Sequence, residues 1–154
     1  MPTTFRCPMD RVSQQTRSAM MAKVKSKDSK PERIVREEVR KLGVGYRLHR
    51  RELPGKPDLV FSGRRAVIFC HGCFWHQHPD CRKSTIPATN SEFWQSKLRR
   101  NVERDAQNIA DLEAAGWRTL VVWECETKNP DALSVKLREF LCNSADSAES
   151  RRPD

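Results

Sequence analysis

A chain of 154 residues is the length of one domain and is long enough to bury a single core. Its 29 Lys and Arg against 20 Asp and Glu leave a formal charge of +9 at pH 7. A protein this basic usually meets a polyanion, so nucleic acid is expected ahead of an anionic membrane, for which no amphipathic apolar anchor is seen. No run approaches the roughly 20 apolar residues of a membrane span, and the start Met1-Pro-Thr-Thr-Phe-Arg-Cys-Pro carries no apolar signal segment, which predicts a soluble protein in a reducing cytoplasm.

Residues 1–28 hold Arg6, Arg11, Arg17, Lys23, Lys25 and Lys27 against Asp10 and Asp28. They are expected to form a basic arm, disordered or loosely helical until it meets a partner. Ser29-Lys-Pro-Glu32 is a capping-box pattern with an early proline, followed by Ile34, Val35, Val39 and Leu42 at helical spacing until Gly43. Strand-like pieces follow at Tyr46 to His49, Asp58 to Phe61 and Arg65 to Cys70, with turns at Pro54-Gly55 and Ser62-Gly63. A long helix is expected from Ser91 to Ala115, with Leu98, Val102, Ile109 and Leu112 on one face and Gly116 ending it. Leu120 to Trp123 reads as a buried strand, and Asn129-Pro130 starts a last helix carrying Leu133, Leu137, Phe140 and Leu141. The chain therefore divides into an arm (1–28), one domain (29–142) and a disordered polar tail (143–154), without internal repeats. Strands flanked by helices at both ends predict an α/β protein with a three-layer α/β/α arrangement around a mixed central sheet.

Between Cys70 and Cys81 six potential ligands, Cys70, His71, Cys73, His76, His78 and Cys81, fall within twelve residues, and Cys125 closes the run Thr119-Leu-Val-Val-Trp-Glu-Cys. Structural zinc takes four tetrahedral Cys or His ligands in close-spaced pairs. Cys73, His78 and Cys81 supply three, and Cys125 the fourth if its strand lies beside the one ending near Cys70. Spacing alone leaves Cys70 as an alternative to Cys73. A disulfide with surface histidines is the competing reading, disfavoured in a reducing compartment. Cys7 and Cys142 read as bystanders. Asp58 opens an apolar strand after Pro57 and could hold a hard cation such as Mg²⁺, or merely cap a turn.

Pro57-Asp58 ahead of a paired strand resembles the nuclease superfamily named for its PD-(D/E)xK motif. The longer strings Val67-Ile-Phe-Cys-His71-Gly-Cys-Phe-Trp75-His-Gln-His78, Pro87-Ala-Thr, Glu92-Phe-Trp94, Asn101-Val-Glu-Arg-Asp105 and Val122-Trp-Glu-Cys125 resemble the Vsr family of very-short-patch DNA mismatch endonucleases, over about Ser18 to Cys142. The resemblance implies a restriction-endonuclease-like fold with a structural zinc site, and a strand-specific nick 5′ of the thymine in a T:G mismatch left by deamination of 5-methylcytosine. It implies catalytic Mg²⁺ held by Asp58 and the backbone carbonyl of Cys70, His71 in place of the superfamily's lysine, and His76 as general base. Glu32 would orient the base or a metal-bound water, and Asp105 would support a histidine. The zinc ligands carried over are Cys73, His78, Cys81 and Cys125. The chain departs from the family pattern in one extra residue at Pro79-Asp80 and in Cys rather than Thr at Cys70.

By the same resemblance, Phe74, Trp75 and Trp94 enter the base stack from the major groove, and Met21 and Val24 wedge from the minor-groove side. Lys97 and Asn101, one helical turn apart, can read the altered acceptor pattern of a wobble pair. The implied partners are duplex DNA with a T:G mismatch, the mismatch repair protein MutL and a repair DNA polymerase; the expected state is a nucleoid-associated monomer. Two other readings stay open at this point: a zinc-bearing DNA-binding module without catalysis, and a restriction-type nuclease acting on undamaged DNA. If the arm meets the DNA backbone, Lys23→Ala with Lys25→Ala should lower the slope of log affinity against log salt by up to about 0.9 per lost phosphate contact. Binding titrations over a salt series read this directly, and an unchanged slope would remove the arm from the interface.

Overall fold

The computed structural model describes residues 28–142 together with Gln15. Met21, Val24, Cys7 and nearly all of the expected arm, like the expected tail, lie outside the described residues. Ser29 starts helix α1 (Lys30–Lys41) as the sequence predicts. The Glu32 N–H donates to Ser29 Oγ at 3.4 Å, and the Glu32 carboxylate accepts the Asp28 N–H at 3.0 Å, which satisfies two N-terminal donors reciprocally. The helix ends where Gly43 takes φ +71°, a conformation that costs a glycine little.

Strands β1 (Arg47–Leu48), β2 (Leu59–Phe61) and β3 (Ala66–His71) pair antiparallel, and β4 (Arg118–Trp123) joins β3 in parallel, giving the order β1-β2-β3-β4. The parallel pair needs a long crossover. Residues 72–117 provide it, and they contain helix α2 (Ser91–Ala114). Helix α3 (Pro130–Cys142) follows β4. On β3, Ala66 and Ile68 face a core shared with Val35 and Val39 of α1 and Leu133, Leu137 and Leu141 of α3. Val67 and Phe69 face the other side with Val60, against Leu112 of α2. A central strand buried on both faces reads as an unbroken apolar run, as Ala66-Val-Ile-Phe does. The expected three-layer α/β/α mixed sheet is present.

Burying each such Leu or Val contributes roughly 1.5–3 kcal/mol. Three arginines close the end of the sheet where β3 and β4 begin. Arg65 donates to the Ala115 carbonyl after α2, while Arg64 and Arg118 donate to the carbonyls of Leu141 and Phe140 in the last turn of α3. These bonds take up carbonyls that a helix end leaves without an intrahelical partner.

Three expectations need correction. The first strand is two residues long and exposed on both, because it lies at the sheet edge and ends at His49, whose φ of +47° leaves the strand region. Leu120 to Trp123 is not uniformly buried: only Val122 is, since β4 forms the other edge. Val102 is 41% exposed. The inward face of α2 instead runs through Leu98, Asn101, Asp105, Ile109 and Leu112, so polar residues occupy the middle of what looked like an apolar stripe. Leu112→Ala should therefore cost about 2–5 kcal/mol, and Val102→Ser no more than about 0.5 kcal/mol, measured by urea unfolding.

Candidate active site and metal centre

The register of β3 on β4 sets His71 opposite Trp123. Cys73 and Cys125, each two residues further along, leave the same end of the sheet side by side. The intervening loop turns tightly, with the His78 N–H donating to the Cys73 carbonyl at 2.9 Å and Gln77 and Asp80 at φ +50° and +56°. Cys73, His78, Cys81 and Cys125 bring one ligand atom each within 4.8 Å of one another. His78 Nδ1 lies 3.7 Å from Cys73 Sγ and 3.4 Å from Cys125 Sγ, so Nδ1 is the nitrogen that faces the thiols.

Cys70 stands apart from this group, its side chain packed on the core beneath α1 and α3; of the two alternatives, Cys73 is the one brought to the cluster. Three thiols and an imidazole form the donor set of structural zinc. Burial pushes the Cys73 thiol up to about 12. A soft divalent cation is what would ionise such a thiol at neutral pH, so the residues fit the metal.

Trp123 joins this cluster to a cleft of about 1370 Å³. Its indole stacks on His78 with centroids 4.3 Å apart and meets the His71 ring edge-on at 5.4 Å. His71 in turn stacks on His76 at 3.9 Å and 7°. Glu32, Asp58, His71, His76 and Asp105 all line this one cleft, although they come from α1, the start of β2, the end of β3, the metal loop and α2. His76 Nδ1 lies 2.5 Å from Asp105 Oδ2, leaving Nε2 as the free nitrogen. Burial, with His76 alongside, pushes His71 down to about 4. His71 is therefore a neutral ring at neutral pH, and its contacts are with the rings of His76, Trp123 and Phe69.

Asp58 Oδ2 accepts the Cys70 N–H at 2.7 Å. Burial, and after it the charge of Glu32, pushes the Asp58 carboxyl up to about 6 against the bond from Cys70. A carboxylate held this way lacks a compensating cation, and a hard divalent ion suits its oxygen donors. Glu32 is 4% exposed and ion-paired to Arg36 at 3.0 Å. Arg51, Lys56 and Arg104 also line the cleft and match a polyanionic ligand.

Sequence reasoning missed His49 and Arg36. His49 sits between the two acids, with Nε2 3.6 Å from Glu32 and Nδ1 3.8 Å from Asp58. Arg36 bridges Asp28, at 2.6 Å, and Glu32. Arg36 did carry a signal, since it stands four residues after Glu32 on one helix face; His49 had none, because only strand pairing brings it to Asp58. Gly55 carries a quieter signal: at φ +72°, a Cβ there would lie 2.9 Å from Asn108 Cβ, so the turn before Asp58 packs directly on the helix that carries Asp105.

Phe74, Trp75 and Trp94 form an edge-on cluster at 5.2–6.2 Å, partly exposed, with Phe93 beside Trp94 and 59% exposed. Lys97 Nζ lies 5.5–5.8 Å from the Trp75, Trp94 and Phe93 ring centres. Asn101 donates to the Trp75 carbonyl at 3.1 Å, so in the free protein its amide holds the metal loop to α2.

Residues 9–83 match the family described as DNA mismatch endonuclease Vsr. The chain is 45% identical over 132 residues to the type II nicking enzyme V.XorIIP of Xanthomonas oryzae pv. oryzae, covering 86% of this chain and 96% of that protein. It is 40% identical over 139 residues to the DNA mismatch endonuclease Vsr of Escherichia coli, covering 87% and 88%. The fold is similar to the homing endonuclease I-Bth0305I catalytic domain, with a TM-score of 0.55 over 77% of this chain and 99% of that one at 18% identity. That likeness bears out the nuclease-like architecture.

The raised Asp58 carboxyl generates a stability prediction. Its folded pKa of about 6 lies above the ordinary 3.8, so its favourable contribution is complete below about 3.8 and is lost as pH rises through about 6. Without divalent cations, Asp58→Asn should therefore be more stable than the parent at pH 7.5, by on the order of 2–3 kcal/mol, and similar to it at pH 4. Thermal melts at both pH values check this. A lower Tm for the variant at pH 7.5 would contradict it.

Proposed function

The chain belongs to the Vsr family of DNA mismatch endonucleases, and on that premise we propose that it nicks one strand of duplex DNA 5′ of the thymine in a T:G mismatch arising from 5-methylcytosine deamination. The observation that carries this reading is the gathering of Asp58, the stacked His71 and His76, and Asp105 in one cleft beside the aromatic cluster. A DNA-binding module without catalysis would have no need to bury a carboxylate whose charge costs stability.

In this reading Asp58 and the carbonyl of Cys70 hold Mg²⁺. A strand residue turns its N–H and C=O to the same side, and the Cys70 N–H points at Asp58. When bound, the ion would supply positive charge to offset the negative charge on the phosphate oxygens as water attacks phosphorus. Asp105 fixes the tautomer and orientation of His76, whose Nε2 takes the proton from the attacking water. The neutral ring of His71 keeps His76 in plane by stacking and excludes solvent from one side. Glu32, itself pinned by Arg36, orients water near Asp58. Cys73, His78, Cys81 and Cys125 hold zinc and brace the loop that presents Phe74 and Trp75. These rings, with Trp94, enter the stack beside the mismatch, where unstacking costs less than in paired DNA.

Further elements of the proposal are a basic arm over residues 1–28 that adds backbone attraction, with Met21 and Val24 wedging from the minor groove, and a polar tail over residues 143–154 that takes no part in the site. Lys97 and Asn101 reach a base edge once the loop opens onto DNA. The protein acts as a monomer in the cytoplasm, on the nucleoid, and passes its nick to a repair DNA polymerase, with MutL as a further partner.

Several relatives carry the printed name of type II nicking enzymes, which favours one second reading: a nick in a fixed sequence of undamaged DNA. End-labelled T:G and T:A duplexes in several sequence and methylation contexts separate the two. Nicking of the thymine strand in T:G duplexes alone is expected, and equal cutting of T:A duplexes would replace the mismatch reading. His76→Ala should lower the nicking rate by about 10²–10⁴ with little loss of affinity, and Asp58→Ala should abolish nicking while leaving T:G binding intact.

A further inference from the structure

Arg36 and His49 form a connected path from Glu32 to Asp58. A guanidinium only donates. Arg36 Nη2 lies 3.0 Å from Glu32 Oε2 and 3.4 Å from His49 Nε2, so at that contact Nε2 accepts and, in a neutral ring, the proton resides on Nδ1. Nδ1 faces Asp58 Oδ1 at 3.8 Å, while Oδ2 of the same carboxylate is taken by the Cys70 N–H at 2.7 Å. Asp58 Oδ2 therefore has a donor bonded to it from β3, while Oδ1 has a ring nitrogen beside it, just past the end of β1 and beyond hydrogen-bond distance.

The His49 backbone is held there as well. Its N–H donates to the Asp58 carbonyl at 3.3 Å, and its φ of +47° is a conformation that non-glycine residues seldom keep without cause. Arg36 is 11% exposed, and its Nε is a buried donor without a hydrogen-bond partner among the described residues, so the guanidinium's placement is set by its terminal nitrogens, the ones that reach Asp28, Glu32 and His49.

We propose that His49 is a positioning residue of the nuclease site: Arg36 fixes its Nδ1–H tautomer, and that N–H orients the Asp58 carboxylate for a divalent cation. The 3.8 Å gap is longer than a hydrogen bond and shortens when the carboxylate takes up its ligand-holding orientation, as polar contacts in ligand-free sites commonly do. The role rests on Asp58 being a metal ligand, as argued above. Groups of this kind, hydrogen-bonded to a ligating side chain, typically change metal affinity by roughly 10–100-fold when removed.

The test uses the full-length, zinc-loaded protein without DNA. Mn²⁺ binding is followed by the electron paramagnetic resonance signal of the free ion, beside thermal melts in the absence of Mn²⁺. His49→Ala should weaken Mn²⁺ binding roughly 10–100-fold with zinc content unchanged. His49→Asn, which places an amide N–H near the Nδ1 position and tolerates the left-handed backbone, should recover most of that loss. Nitrogen NMR of histidine-labelled protein should show His49 protonated at Nδ1. Parent-like Mn²⁺ affinity in His49→Ala beside a clear loss in Asp58→Ala, or a ring protonated only at Nε2, overturns the role of His49. Parent-like affinity in both variants overturns the metal reading on which it stands. A loss in His49→Ala that follows only its Tm, with no recovery in His49→Asn, also overturns the proposal in favour of a purely structural role.

Discussion

The parallel pairing of β3 with β4 is the constraint from which the site follows. His71 lies opposite Trp123, and that one register carries Cys73 and Cys125 past the same end of the sheet. It also puts an indole between the thiol cluster and the cleft, with His78 stacked on one face and His71 against it. Because side chains alternate along a strand, a slip of one residue would turn every side chain of β4 to the opposite layer and take Cys125 away from Cys73. The two cores on either side of the sheet hold the register, and the register places both constellations.

A second theme is the concentration of uncompensated charge. Asp58 and Glu32 approach each other in a partly buried cleft, where Arg36 pairs with Glu32 and His49 lies between the two acids. Folding energy from the two cores is set against that cost, as is usual where a site must be ready for a cation or a phosphate before either arrives. The stacked, buried His71 belongs to the same design, its ring 3.9 Å from that of His76.

What the sequence made legible was governed by local rules. The Ser29 and Glu32 capping pair, the Gly43 stop, the long helix α2 and the turn that gathers Cys73, His78 and Cys81 each depend on residues close along the chain; Cys125 reaches them only through the pairing of β3 with β4. Glu32, Asp58, His71, His76 and Asp105 were recognisable through resemblance, and the structure brings all five to one cleft. Illegible were features decided by distant pairing. The stripe on α2 looked apolar through Val102, yet the helix turns Asn101 and Asp105 inward because His76 and the loop carbonyl need polar partners there. His49 had no spacing signature, since only the pairing of β1 with β2 sets it beside Asp58. Exposure of β4 likewise followed from its place at the edge, which composition does not encode.

The cleft has two walls of different origin. Glu32, His49 and Asp58 come from α1 and the β1–β2 segment, whereas Trp75, His76 and Asp105 come from the metal loop and α2, which Asn101 ties together through one bond to the Trp75 carbonyl. Substitutions along the exposed rim of the loop and the first turns of α2 can therefore reshape that wall without displacing the opposing acids. A scaffold divided in this way can vary one wall by small steps while the acids of the other are inherited intact, provided His76 and Asp105 keep their contact.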